Sequence, residues 1–525
     1  MARPGFVLEV DERTPPLLFH FGEGFLLERL PLGSRVVYPP EALPGIRDVD
    51  AVIAHALENP EGSEPLRALL KPGMKLTIAF DDISLPLPPM RTPDIRGRVI
   101  EQVLELAARA GVDDVQLIAA LSLHRRMTPA ELKRAVGERV FRSFHPEGLY
   151  NHDAEDRANL TFIGETDQGE EVEISKRAAE SDLIVYVNIN LVAMDGGHKS
   201  VPVGLASYRS VRHHHNVHTM MHSRSYMDPP SSELHHSTVR MGRLLAEHVK
   251  IFTVETTLNN DMFGPPFDFL QKREWEWGVK DQAAFLAAKR ATDVAPAHIK
   301  RKIFSKIASP YGITGIHAGE TEAVHTKTTA SVHRQQLVEV DGQADILIAG
   351  LPYVGPYNVN SIMNPILVVC EGLGYFFNMY RNKPLVRPGG AMIMFHPVSN
   401  EFQQVHHPSY VDFFEEVLAE TTDPAAIESK FEQQFATDPW YIHLYRNSYA
   451  YHGVHPFYMW YWAAHAMDHL GDVIFVGGDR KTVSRLGFRS ATTLGDALDM
   501  ASETVGRSPK ITALKVPPLA IADVR

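Results

Sequence analysis

The feature that most constrains this chain is an alternation of short apolar runs with helical-period segments. KLTIAF (75–80), VQLIAAL (115–121), LIVYVNI (183–189) and VKIFTVETTL (249–258) read as buried strands. Between the first two, RGRVIEQVLELAARA (96–110) spaces its apolar residues by three and four and stops at Gly111, which suits a helix closed by a left-handed glycine. A second helix is predicted from Thr128-Pro129-Ala130-Glu131, a capping box with proline at the first helical position. Strands alternating with helices call for βαβ units and a parallel sheet covered on both faces. The alternation resumes after a mostly helical stretch (266–306) with DILIAG (345–350), AMIMFH (391–396), DVIFVG (472–477) and KITALKVPP (510–518).

The fold class expected is therefore α/β: two α/β domains with mostly parallel sheets facing a central cleft. Residues 1–310 form the first and 311–525 the second. Short alternating runs between Gly5 and Pro40 add an N-terminal antiparallel β segment. The length of 525 residues gives each domain enough chain for its own core. Open α/β sheets bind ligands beyond the carboxyl ends of their strands, so candidate chemistry is sought there.

Composition removes several classes of function. Hydrophobic residues are 44% and charged residues 22%, both ordinary for a globular protein, so disorder and fibrous repeats are excluded. A net charge of −12 has the wrong sign for a protein that neutralises phosphate backbones, and nucleic acid is not expected as a partner. The single cysteine, Cys370, lies in an apolar run and reads as core; no disulfide or thiolate cluster can be built within one chain, which suits a reducing cytoplasm. The start of the chain lacks the apolar stretch of a secretory signal, and the most apolar window (457–467) is too short to span a bilayer, so no membrane partner is expected. Histidine stands out: there are 26, eight of them between His213 and His248.

Three segments place polar groups just past a strand. FDDISLPLPP carries Asp81, Asp82 and Ser84, as a turn or as site carboxylates. SLHRRM carries His124 out of a buried strand, either solvated or catalytic. The third, NINLVAMDGGHKSVPVGLASYRSVRHHHNVHTMMH, sets Gly196 and Gly197 before His198 and Lys199, letting a ligand approach the backbone. It is not a phosphate-binding Walker loop, because His198 stands where that motif needs glycine. His215, His218 and His222 fall at i, i+3 and i+7, one face if the segment is a helix, either a solvated face or a metal site. His396, His406 and His407 sit near a strand end and could face the cleft. The aromatic run 440–462 reads as packing, a cleft wall or a subunit contact.

Taken together, these segments resemble the nickel-dependent lactate racemase family, as a divergent and longer member. GVDDVQLIAALSLHRRMTPAEL is similar to the family's G-x-H-R-x-M-T loop, with Leu123 where a small polar residue is frequent. DGGHKSVPVGLASYRSVRHHHN is similar to its G-G-x-K…P-G…N-H segment. The passage into FDD (48–82) and the close VIFVGGDRKTVSRLGFRSATTLGDALDMA complete four matches in order.

The resemblance implies a racemase or epimerase acting on a 2-hydroxy acid by hydride transfer to a covalently bound nickel-pincer nucleotide. It places Lys199 at the cofactor attachment, His215 on nickel and His124 as the base that takes the hydroxyl proton. Asp82, Ser84, Gly196, Gly197 and His198 fall in the cofactor-binding motifs, and cofactor-biosynthesis enzymes are implied as partners. Where the family has a second catalytic histidine this chain has Ile189, with Asn190 adjacent as the candidate polar residue there. The family's substrate arginine in D-x-T-R is replaced in Asp82-Ile83-Ser84-Leu85, with Arg91 the nearest substitute, and its Gln and Lys pair is missing from NVNSIMNPIL (358–367). A substrate larger than lactate is expected, with a base from elsewhere such as His198 or His317. Two other readings stand beside this one: a non-catalytic metal- or cofactor-binding homologue, and a hydrolase or lyase that uses a histidine-bound metal directly.

Overall fold

The computed structural model describes residues 2–359 and 361–525; Asn360, inside the 358–367 segment, lies outside the described residues. Two sheets organise the molecule. The first has six strands in the order Ile313–Gly319, Ile251–Leu258, Leu183–Asn190, Lys75–Asp81, Asp114–Ala120 and Leu149–Asn151. All pair in parallel except Ile313–Gly319, which runs antiparallel to Ile251–Leu258. Its central strand Leu183–Asn190 is buried at every position, as expected where helices cover both faces. Helix Ile95–Arg109 is capped by Asp94, whose side chain accepts from Arg96 N, and the chain leaves it through Gly111 at φ +72°. Helix Pro129–Val136 starts at the capping box of Thr128 and Glu131.

The second sheet has seven strands: Phe6–Glu9, Arg35–Tyr38, Ile511–Leu514, Ala344–Gly350, Val386–Phe395, Asp472–Val476 and Arg489–Ala491. The N-terminal segment is antiparallel internally, both in the pair Phe6–Glu9 with Arg35–Tyr38 and in the hairpin Leu17–Phe21 with Gly24–Glu28. Arg35–Tyr38 then pairs in parallel with Ile511–Leu514, so the start of the chain is an edge of the sheet built mostly by its end. A separate core of Val36, Ile346, Ile348, Ile393, Ile474 and Ala513 lies on one face of this sheet. The hairpin crosses the carboxyl end of Ala344–Gly350 so closely that a Cβ on Gly350 would stand 2.6 Å from His20 O. That crossing carries His20 and Gly22 to the wall of the central cavity.

The region 408–469 is helical and supplies much of the largest core, including the fully buried Trp460, Tyr461 and Trp462. Cys370 is buried, as its apolar run predicted. Among the described residues no helix is long and apolar enough to cross a membrane.

Candidate active site

A cavity of about 220 Å³ lies where the carboxyl ends of both sheets converge. Asp82 and Ser84 reach it from the end of Lys75–Asp81, Ser122 and His124 from the end of Asp114–Ala120, and Gly196 and Lys199 from beyond Leu183–Asn190. His215 enters from the end of helix Tyr208–His214. Tyr353 and Tyr357, past Ala344–Gly350, and Glu371, Tyr375 and Trp462 form the opposite wall.

His124 and Asp82 form a dyad, with Nδ1 of the ring 2.8 Å from Oδ2 of the carboxylate. Burial alone would raise the Asp82 carboxyl, but the His124 ring and two hydrogen bonds from Ser84 outweigh it and hold its pKa below the ordinary value. An ionised Asp82 accepts the Nδ1 proton, which leaves Nε2 of His124 as the ring's lone-pair nitrogen. The Asp81–Asp82 turn is fixed by buried Arg96, whose Nη1 donates to the carbonyls of Asp81 at 2.7 Å and Asp82 at 2.6 Å while its other nitrogens grip Asp94. Asp81 is pushed up to about 7 by burial, against the opposing hydrogen bond from Ile189 N at 2.7 Å and the charge of Arg96.

Lys199 lies at the end of the turn Gly197–Lys199, and its Nζ donates to Met194 O at 3.1 Å. Burial lowers its pKa, opposed by the nearby carboxylates of Asp195 and Asp81. The turn needs its glycines for reasons inside the protein. Gly196 has φ +80°, and a Cβ there would collide with Asn190 and Glu255; Gly197 has φ +63°, and its Cβ would stand 2.9 Å from the His325 ring. Glu255, fully buried on Ile251–Leu258, accepts from Gly197 N at 2.6 Å and meets His325 Nδ1 at 3.3 Å. Asn190 does not line the cavity; its Nδ2 donates to Asp195 O at 2.6 Å, bracing the same turn from behind.

His215 is kept neutral: burial pulls its pKa well down, reinforced by His214, Lys199 and His124. Its Nδ1 stands 2.6 Å from Nδ1 of His214, and its Nε2 has no hydrogen-bond partner among the described residues. The histidine stripe is not one helical face. The helix ends at His214 and another starts at Val217 under an Asn216 cap, so His215 points to the cavity while His218 and His222 lie together outside it, rings 4.3 Å apart. Among the described residues no three His, Cys, Asp or Glu side chains are grouped to hold a metal ion.

Other expectations fall outside the cavity lining. His198 turns away to pack on Gly242 and meets Glu322 Oε1 at 3.0 Å. His317, Arg91, His396, His406 and His407 do not line the cavity. Of the aromatic run, Trp462 does, while the rest of its last turn is packed core.

Sequence reasoning missed His455 and Glu371. The His455 ring stands 5.3 Å from that of His124, edge to face, with Nδ1 2.6 Å from Tyr410 Oη and Nε2 buried without a partner among the described residues. Its signal was buried among aromatics. Glu371 is a lone charge inside the apolar run PILVVCEGLGYFF, which is the kind of residue that has to earn its burial.

Residues 24–228, the part that supplies His124, Lys199 and His215, match the lactate racemase N-terminal domain family. Over that stretch, the chain is similar to the lactate racemase family. Lactate racemase of Lactiplantibacillus plantarum is 28% identical over 170 residues, 31% of this chain and 38% of that relative. Lactate racemase of Thermoanaerobacterium thermosaccharolyticum is 28% identical over 168 residues, 31% of this chain and 37% of that relative. The matched stretch thus spans under two-fifths of either relative's own length. The fold likeness reaches further: the lactate racemase apoprotein structure from Thermoanaerobacterium thermosaccharolyticum superposes with a TM-score of 0.62 at 19% identity, over 97% of this chain and all of that one. A structure from Thermotoga maritima gives 0.51 at 13% identity, over 92% of this chain.

Proposed function

We propose that this chain belongs to the lactate racemase family and inverts the carbinol centre of a 2-hydroxy acid, using a nickel-pincer nucleotide attached at Lys199. The observation that carries the reading is one cavity holding a buried amine of lowered pKa, a neutral imidazole and a carboxylate-oriented imidazole: Lys199, His215 and His124. That donor set fits the group. Lys199 offers the amine for attachment and His215 the single protein nitrogen that a three-donor pincer leaves to be filled. When bound, the group would supply a hydride acceptor. Asp82 and Ser84 belong to the dyad, and Gly196 and Gly197 set the turn that delivers Lys199. His198 and Asn190 act from behind that turn.

The chain's own part is proton handling and orientation. His124 receives the substrate hydroxyl proton at Nε2, and the resulting imidazolium is stabilised through Nδ1–H by Asp82. When the proton returns, the same dyad resets. His455, packed edge-on against His124, positions that ring. The apolar wall excludes water from the reacting carbon. The reading takes the chain as two α/β units, 1–310 and 311–525, that exchange edge strands (Phe6–Glu9 and Arg35–Tyr38 join the second sheet, Ile313–Gly319 the first), with the cavity between the sheets, a cytoplasmic setting and partners that build the cofactor. Inversion of optical rotation by protein co-produced with the cofactor-building enzymes, absent from protein made alone, tests it. Equal activity in both preparations would favour a metal hydrolase or lyase instead.

A further inference from the structure

The cavity contains a carboxyl that the reaction does not use. Glu371 is 7% exposed, lines the cavity, and has no hydrogen-bond partner among the described residues. Its place is built: the π-helical turn Cys370–Phe376 sets both Glu371 and Tyr375 on the wall, and a Cβ on Gly355 would come within 2.7 Å of Glu371 Oε2. Near it the hydroxyls of Tyr357 and Tyr375 meet at 3.1 Å and Trp462 stacks on Tyr375, while Phe263 and Phe267 add aromatic surface elsewhere on the cavity lining. Lys199 is the one lysine or arginine among the described lining residues, and its amine is committed to the cofactor, so no cation there is set to pair with a carboxylate at the substrate's far end. Burial pushes the Glu371 carboxyl up to about 8, so near neutrality it offers one O–H and one C=O.

We infer that Glu371 selects the substrate: a 2-hydroxy acid with an aromatic body whose far end carries a neutral hydroxyl that Glu371 hydrogen-bonds. This rests on the proposed function for its reacting end and adds the identity of the other end. A buried polar group left unpaired is costly, so an analogue lacking the hydroxyl is penalised while the matching one is not.

The test compares lactate, malate, phenyllactate and para-hydroxyphenyllactate on the cofactor-loaded protein. It reads kcat/KM for inversion and, separately, binding by quenching of tryptophan emission. Para-hydroxyphenyllactate is expected to exceed phenyllactate by about 10-fold or more, with lactate and malate weaker still. Glu371→Leu should bring the hydroxyphenyl-to-phenyl ratio to about one and Glu371→Gln should keep part of it. The ratio is internal to each variant, so a general loss of folded protein does not imitate the result. A ratio untouched by Glu371→Leu, or tighter binding of malate, overturns the inference. The expected binding order without inversion of any acid would sink the racemase reading and leave Glu371 standing. Full inversion of lactate with no aromatic preference would do the reverse.

Discussion

The two walls of the cavity differ in kind. The N-terminal wall is made of strand-end loops whose carboxylates and turn groups are answered, Asp82 by His124 and Ser84, Gly197 N by Glu255, the Asp81 and Asp82 carbonyls by Arg96, while Ser122 Oγ, Asn188 Nδ2 and His215 Nε2 have no partner among the described residues. The opposite wall is aromatic, set on π-helical and helical turns, and its carboxyl, Glu371, has no hydrogen-bond partner among the described residues. A ring held by an ionised carboxylate is preorganised for chemistry, whereas a buried carboxyl with an open valence waits for a ligand. The division assigns reaction to one wall and selection to the other.

The largest effect that would sharpen this contrast is expected at Lys199. Lys199→Arg should abolish inversion and leave the peptide carrying residue 199 at its unmodified mass, while the circular dichroism spectrum stays that of the parent. Next comes His124→Asn, with a fall of about 10²- to 10⁴-fold in kcat, as expected for loss of a positioned base. Asp82→Asn should cost less, about 10- to 10³-fold, by releasing the ring's tautomer rather than removing it. His455→Phe, which keeps the packing beside His124, should change kcat by under about 10-fold; a loss matching His124→Asn would give His455 a share in the proton transfer and break the contrast.

A smaller effect concerns stability. Asp81 has a folded pKa of about 7, above its unfolded value near 3.9, so the unfolded chain gives up its proton first. Stability therefore falls as pH rises between those values. Asp81→Asn should remove about 1–3 kcal/mol of that decline between pH 5 and 7, measured as the difference between urea unfolding of parent and variant at each pH. Asp82 has the opposite sign: its folded pKa is depressed, so its contribution is present above about pH 4 and lost below. Gly196→Ala, at φ +80° with no room for a methyl, should lower stability by about 1–3 kcal/mol and weaken attachment at Lys199 together.

Much of the first wall could be read from sequence because its chemistry is local. A strand followed within four residues by Asp82 and Ser84, or by His124, states its own position, and the capping box at Thr128 and the stop at Gly111 are visible as written. Distant contacts were not legible. The two glycines look like room for a ligand, yet the atoms they make room for belong to Glu255 and His325, some sixty and more than a hundred residues away. The stripe of His215, His218 and His222 has helical spacing, but Asn216 caps a new helix, and local hydrogen bonding overrode periodicity. Nothing in the alternating pattern showed that Arg35–Tyr38 would pair with Ile511–Leu514, because a parallel partner can lie anywhere along the chain. Glu371 was missed because the π-helical turn that aims it has no sequence period of its own.

The account depends on Lys199 being the chemical anchor of the reaction. Intact-mass and peptide mapping of protein co-produced with the cofactor-building enzymes, run beside an optical-rotation assay on the same sample, measures this directly. An added mass confined to the peptide with Lys199, rising in step with inversion activity, is the predicted result. Full activity from protein whose Lys199 carries an unmodified amine would contradict it.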